Sequence, residues 1–208
     1  MSKNKLIRFL LVIILYLGCV IMFSGCSQND SNKVTKNETK SDSSTTAENS
    51  GNGIANDNVI FNFYNKVYMD QTKADVEAAT GIVAELGENG LYTYVDPNTG
   101  YGVFVNYNDG NRVIVKGIFT PVGAAELIAL SNATVTEDQV ASITKGMTYE
   151  EVKTILVGEG LEIVCTVNPQ DLAKPLYLMV WLNNDGSSLS VTLNGPKGIV
   201  YSAKFRNV

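Results

Sequence analysis

Helix starts, apolar positions and hairpin turns recur along this chain at one spacing, and that repeat limits the fold more than composition does. Thr72 maps onto Thr148, Val76 onto Val152, Val67 onto Ile143 and Tyr101 onto Tyr177, each pair 76 residues apart (148 − 72). Asn108-Asp109-Gly110 maps onto Asn184-Asp185-Gly186 by the same offset. One offset that carries both a helix start and a hairpin turn implies a tandem duplication. Two copies are too few for a solenoid, so two like units are expected rather than an array.

The sharpest punctuation lies between Ile143 and Val152. Gly146 suits the left-handed conformation that closes a helix. Thr148 and Glu151 have the spacing of a capping box, and Met147 with Val152 that of a hydrophobic staple. Val152, Ile155 and Leu156 then form an apolar stripe at helical spacing. Thr136 and Gln139 repeat the capping spacing, with Val140 and Ile143 facing one way. In the first unit Phe63, Tyr64 and Val67 lead to Thr72, with Asp75 and Val76 beyond it.

Strands follow each helix pair. Leu91 to Val95 and Tyr101 to Tyr107 flank an Asp-Pro-Asn-Thr-Gly loop, and Asn108-Asp109-Gly110 returns the chain into Arg112 to Phe119. The second set is Glu162 to Val167, Leu176 to Leu182, Ser188 to Leu193 and Ile199 to Phe205. The expected fold class is α+β, with two tandem units, each a helix-turn-helix packed on an antiparallel sheet of about four strands. The units span 58–119 and 136–208. A connector, 120–135, joins them, and its Glu126 to Leu130 portion fits a helix or a strand.

Residues 1–25 have the layout of a secretory signal: Lys3, Lys5 and Arg8, an apolar run from Phe9 to Phe23, then Ser24 and Gly25. Small residues before Cys26 resemble the lipobox of bacterial lipoproteins, which implies an acyl (palmitate-type) lipid on Cys26. Tyr16-Leu17-Gly18-Cys19 is a poorer candidate, and an uncleaved anchor is the competing possibility. Either way the remainder is expected outside the cytoplasm. The segment 26–57 is built from Ser, Asn, Thr, Lys, Asp and Gly, too polar to offset chain entropy by burial. As a flexible tether it would span on the order of 30 Å.

Among 208 residues there is no histidine, which removes His-based nucleophile systems, His-ligated zinc and histidine pH switching. A net charge of −5 argues against nucleic acid, whose phosphates need clustered Lys and Arg. No cofactor or metal is expected: Asp109 and Asp185 sit in turns that explain them, without the spacing of an EF-hand loop. Glu150 and Glu151 are adjacent, so they point apart and read as first-turn acids rather than a catalytic pair. No nucleophile, base and orienter appear at a recognisable spacing, and an enzyme is not expected. Cys165 alternates with Ile163 and Val167 on an apolar strand side, where a free thiol behaves as a small hydrophobe.

The strands suggest where a partner would sit. Leu178, Val180 and Leu182, with Leu189, Val191 and Leu193, are expected to meet the helices, which leaves Tyr177, Met179 and Trp181 on the open face. By the repeat, Tyr101 and Tyr107 share that face, joined by Tyr92, Tyr94 and Arg112, with Ile114 and Lys116 beside them. Tyr, Trp, Met and Arg are the types enriched at protein interfaces. The competing arrangement packs these faces on each other or on the connector as a second core.

The helix-turn-helix-then-sheet repeat, with Gly146-Met147-Thr148 followed by Val152, resembles the beta-lactamase inhibitor protein family. It is also similar to the small outer-membrane-assembly lipoproteins, which carry a single related unit. The first unit has Asp70-Gln71-Thr72 where that motif has Gly-Met-Thr, and the inhibitor's intra-unit disulfides have no counterpart. The resemblance implies two units whose sheets join into one concave protein-binding surface. It also puts Asp96, in the β-hairpin loop, where that family projects an acidic residue. The expected function is a membrane-anchored, extracytoplasmic module that binds an unidentified protein partner in the envelope or secreted. The alternative is a structural or envelope-assembly lipoprotein scaffold.

Overall fold

The structure, a computed structural model, describes residues 57–121 and 125–207. The leader 1–25, Cys26 and the tether through residue 56 lie outside the described residues. No described helix is long and apolar enough to cross a membrane.

A 3-10 turn at Val59–Phe61 runs into α1 (Asn62–Lys66), followed by α2 (Lys73–Thr80) and strands β1 (Tyr92–Val95), β2 (Gly102–Tyr107) and β3 (Val113–Phe119). The connector contains α3 (Ala125–Ser131). Then come α4 (Glu137–Ala141), α5 (Tyr149–Leu156) and β4 (Leu161–Thr166), β5 (Leu176–Leu182), β6 (Ser188–Asn194) and β7 (Ile199–Arg206). All seven strands form one antiparallel sheet in chain order, so the class is α+β. Strand ends fall within a residue of those expected. The first half departs from the expected four strands: three are laddered, and an isolated bridge, Leu86 to Tyr92, stands where a fourth would run.

Both long helices start as their sequences require. Thr72 N–H donates to Asp75 Oδ2 (3.0 Å) while Asp75 N–H donates to Thr72 Oγ1 (3.2 Å). Thr148 and Glu151 make the same reciprocal pair at 2.7 and 3.3 Å. At α4, Gln139 Oε1 accepts from Thr136 N–H (2.8 Å), and its Nε2 reaches across to Ile155 O (2.9 Å), tying α4 to the end of α5.

The turn before each long helix is stitched to a strand by the same three backbone bonds. Asp70 N donates to Val113 O (3.0 Å), Val113 N to Gln71 O (2.9 Å) and Lys73 N to Asn111 O (3.0 Å). Gly146 N donates to Val200 O (2.9 Å), Val200 N to Met147 O (2.7 Å) and Tyr149 N to Gly198 O (3.2 Å). The turns differ by 76 residues (146 − 70), but the strands they hold differ by 87 (200 − 113). The constant offset therefore stops at the helices. Asn108-Asp109-Gly110 joins β2 to β3, the last hairpin of its half, whereas Asn184-Asp185-Gly186 joins β5 to β6, the last but one. The two turns share a sequence because both close tight hairpins, not because they occupy matching places.

Candidate functional site

Register decides which side chains share a face. One row crosses the whole sheet as Tyr92, Val105, Lys116, Cys165, Tyr177, Leu193 and Val200. The next row projects to the other side as Thr93, Phe104, Gly117, Val164, Leu178, Thr192 and Ser202. The first row faces the helices.

This reverses the expected placement of Tyr177, Met179 and Trp181. They pair with Leu193, Val191 and Leu189, and all six side chains lie in one core with Val152 and Leu156 of α5. Trp181 is 2 % exposed. Its Nε1 donates to Gly158 O (3.2 Å), and a Cβ on Gly160 would stand only 2.8 Å from its ring. The strand misleads because every position of β5 is apolar. Alternation can mark a face only where the other face is polar.

The first-half residues are redistributed too. Tyr92 and Tyr94 lie on the helix side opposite Val105 and Val103. Tyr94 is buried, and its hydroxyl meets that of Tyr107 at 2.7 Å. Tyr107 also packs edge-on against Tyr92, ring centroids 5.2 Å apart. Lys73 of α2 lies 5.2 Å from the Tyr92 ring centroid and is ion-paired with Glu77. Burial, then the bond to Tyr94, pushes the Tyr107 hydroxyl well above the ordinary tyrosine range. Tyr101 is half-buried just ahead of β2. Asp96 Oδ1 accepts from Asn98 N–H (2.9 Å), so its carboxylate shapes the β1–β2 turn. Arg112 Nη1 donates to Asp70 O (2.7 Å), bracing the α1–α2 turn instead of standing on a sheet face. Those nine side chains thus divide among the helix-side core, an edge cluster and two turns; they do not form one open surface.

At the centre of the sheet lies a buried polar group not expected there from the sequence. Lys116, assigned from sequence to the open face, is 2 % exposed on the helix side. Its Nζ donates to Val67 O (2.7 Å) and Tyr64 O (3.2 Å) at the end of α1, and sits 3.9 Å from the Tyr64 ring centroid. Tyr64 Oη donates to Glu162 Oε1 (2.6 Å). Burial depresses the Lys116 pKa, with Glu162 pulling the other way. Burial also pushes the Cys165 thiol up to about 12, so it stays neutral. The buried Tyr177 hydroxyl lies beside the Cys165 thiol and has no nitrogen or oxygen partner among the described residues. The bonds among Lys116, Tyr64, Glu162 and the α1 carbonyls join α1 and β3 to β4. A lysine inside Val113–Phe119 and a glutamate inside Leu161–Thr166, both otherwise apolar runs, were the sequence signal for such a seam. Among the described residues no three His, Cys, Asp or Glu side chains are grouped to hold a metal.

The second face differs in character. Phe104 lies over Gly117, where a Cβ would fall 2.0 Å from its ring, so only glycine fits beneath it. Phe104 and Val164 are buried, while Val115, Phe119 and Leu178 are half-buried. Toward β6 and β7 the face becomes hydroxylic, with Ser188, Ser190, Thr192 and Ser202, and ends at exposed Lys204 and Arg206. The helix α3 packs against β5, and its residues do not join the second-half core. Leu182 N donates to Ser131 Oγ (2.8 Å) and Ala133 N to Leu182 O (3.1 Å) at the end of that helix. No known protein-family model matches the chain, and no curated protein matches it.

Proposed function

We propose that this chain is a membrane-tethered, extracytoplasmic protein-binding module. Its contact surface is the sheet face that carries Val115, Phe119, Leu178, Thr192 and Ser202. In this reading residues 1–25 are a leader, Cys26 carries lipid, and 26–57 is a tether. Two tandem units, 58–119 and 136–208, then place their strands edge to edge. The matching stitches between each turn and strand support the duplication, and the resemblance to the beta-lactamase inhibitor protein family supports binding by a shared sheet.

One observation carries the reading. The face away from the helix-side core is apolar at its centre and hydroxylic at its margin, and α3, packed on β5, has no buried residue of its own. A half-buried apolar centre with a polar rim is the composition of a protein interface. The reading assigns no catalytic step to the chain.

Photo-crosslinking of the full-length protein in its own membranes tests it. A crosslinker at Val115 or Leu178 is expected to capture one discrete protein, and one at Thr154 on the helix layer is not. Equal capture from both layers, or none from the sheet, would remove the face from consideration. A captured membrane-embedded complex would favour the scaffold role instead. The anchor has its own test in a Cys26→Ala variant, which is expected to leave the membrane fraction. Two or three acyl chains at about 0.8 kcal/mol per buried methylene hold a protein firmly. Retention of the lipidated mass in that variant would show the assignment wrong.

A further inference from the structure

A second site, separate from the sheet face, follows from the β1 end of the sheet. The geometry points to a strand-docking edge on β1 that takes an extended, basic peptide segment. β5, inside the sheet, shows what a fully laddered strand side looks like here: β4 lies along it from Leu161 opposite Val180 to Thr166 opposite Leu176, and every β4 residue is buried. β1 has only the single bridge between Tyr92 and Leu86. Past Tyr92, the outer backbone donors and acceptors of β1 meet no strand among the described residues.

The segment making that bridge turns apolar side chains to solvent, with Val83 79 % and Leu86 59 % exposed. Exposed apolar groups beside an unladdered edge are what strand addition covers: main-chain bonds give affinity and side-chain contacts give selectivity. Charge sets the kind of strand. Between Gly81 and Leu91 the charged residues are Glu85 and Glu88, both exposed, with no Lys or Arg. Charges on an edge keep like-charged strands away. These glutamates therefore oppose pairing with the same edge of a second copy and favour a segment bearing Lys or Arg.

The test measures amide exchange in the full-length protein with two synthetic peptides. One is Leu-Lys-Ile-Val-Lys-Thr, the β4 sequence with lysines in place of Glu162 and Cys165; the other carries glutamate at both places. The lysine peptide is expected to slow exchange at Thr93 and Val95, whose N–H groups point away from β2, saturably and less so at high salt, and the glutamate peptide to leave those amides unchanged. A Leu86→Lys variant is expected to lose the protection. Unchanged β1 amides with the lysine peptide, or equal protection by both peptides, would overturn the proposal. Crosslinks from Val115 and Leu178 report on a different surface, so either site can fail without the other.

Discussion

Each half of the molecule puts a glycine where the other half does without one. The residue that turns the chain into the long helix is Asp70 in the first half and Gly146 in the second, at φ 66° and 94°. The residue that closes that helix is Gly81 in the first half and Val157 in the second, at φ 72° and 52°. All four are left-handed, and the bonds around them are alike: Gly81 N reaches Glu77 O, and Val157 N reaches Lys153 O. The conformation is thus imposed by the stitches and caps on either side, and glycine only lowers its cost. Asp tolerates the left-handed region, since a short polar side chain bonds locally, whereas a β-branched Val strains there. The halves also differ inside. The second is a hydrocarbon and aromatic core, while the seam to the first runs through Lys116, Tyr64 and Glu162.

Removing Trp181 should give the largest effect, because it is among the largest fully buried side chains and sits in the core of the second half. Trp181→Ala is expected to cost about 3–5 kcal/mol, the range for deleting a buried aromatic. A denaturant melt showing under 1 kcal/mol lost would mean the ring is not packed as described. Next comes the seam. Tyr64→Phe removes the hydroxyl that donates to Glu162 and is expected to cost about 1–3 kcal/mol, the desolvation penalty of a buried group left short of a partner. If the loss is no larger than that of Tyr201→Phe on the half-buried side of β7, the seam carries no weight. The caps come third. Thr148→Ala and Thr72→Ala should each cost about 1 kcal/mol, since both boxes are complete. Met147 packs on the second core, while Gln71 instead accepts from Tyr68 N–H (2.7 Å), so Thr148 is expected to be the costlier of the two. The reverse order of midpoints would argue that the staple adds nothing.

Local signals in the sequence placed most of the backbone. Thr72 and Thr148 announce their helices through residues three positions away, and turn residues bound every strand, so helix and strand limits need no knowledge of the tertiary fold. Faces were another matter. β6 alternates Leu189, Val191 and Leu193 with Ser188, Ser190 and Thr192 and could be read alone, but β5 is apolar at every position. Its orientation depends on pairing with β6, a long-range fact. Pairing it one residue out of register moved Trp181 from core to surface, the error to which a strand of period two is prone. The repeat misled for a similar reason. The offset of 76 is real at the helix turns, and the extra strand and longer loops of the second half shift everything after them. From sequence, Lys116 falls on the open face and Glu162 has no role, because their partners, the α1 carbonyls and Tyr64, lie some fifty to a hundred positions earlier in the chain.

The smallest expected effect bears most directly on the comparison of the two halves. Val157 is 87 % exposed, so its side chain makes little contact to lose. Val157→Gly removes a left-handed strain of about 1–2 kcal/mol. It also returns roughly 0.5–1 kcal/mol of entropy to the unfolded chain. The net expectation is a gain of a few tenths to about 1 kcal/mol. Asp70→Gly should gain nothing, because Asp strains less at this position and the change also removes its exposed ion pair with Arg112 (3.3 Å), worth at most about 1 kcal/mol. The reciprocal changes sharpen the contrast. A Cβ at Gly81 or Gly146 would meet no atom within 4 Å, so any loss in Gly81→Val or Gly146→Asp is conformational rather than steric. Gly81→Val should therefore cost more than Gly146→Asp. Equal losses, or a Val157→Gly variant less stable than the parent, would mean that the two helix ends are held by something other than the backbone pattern they share.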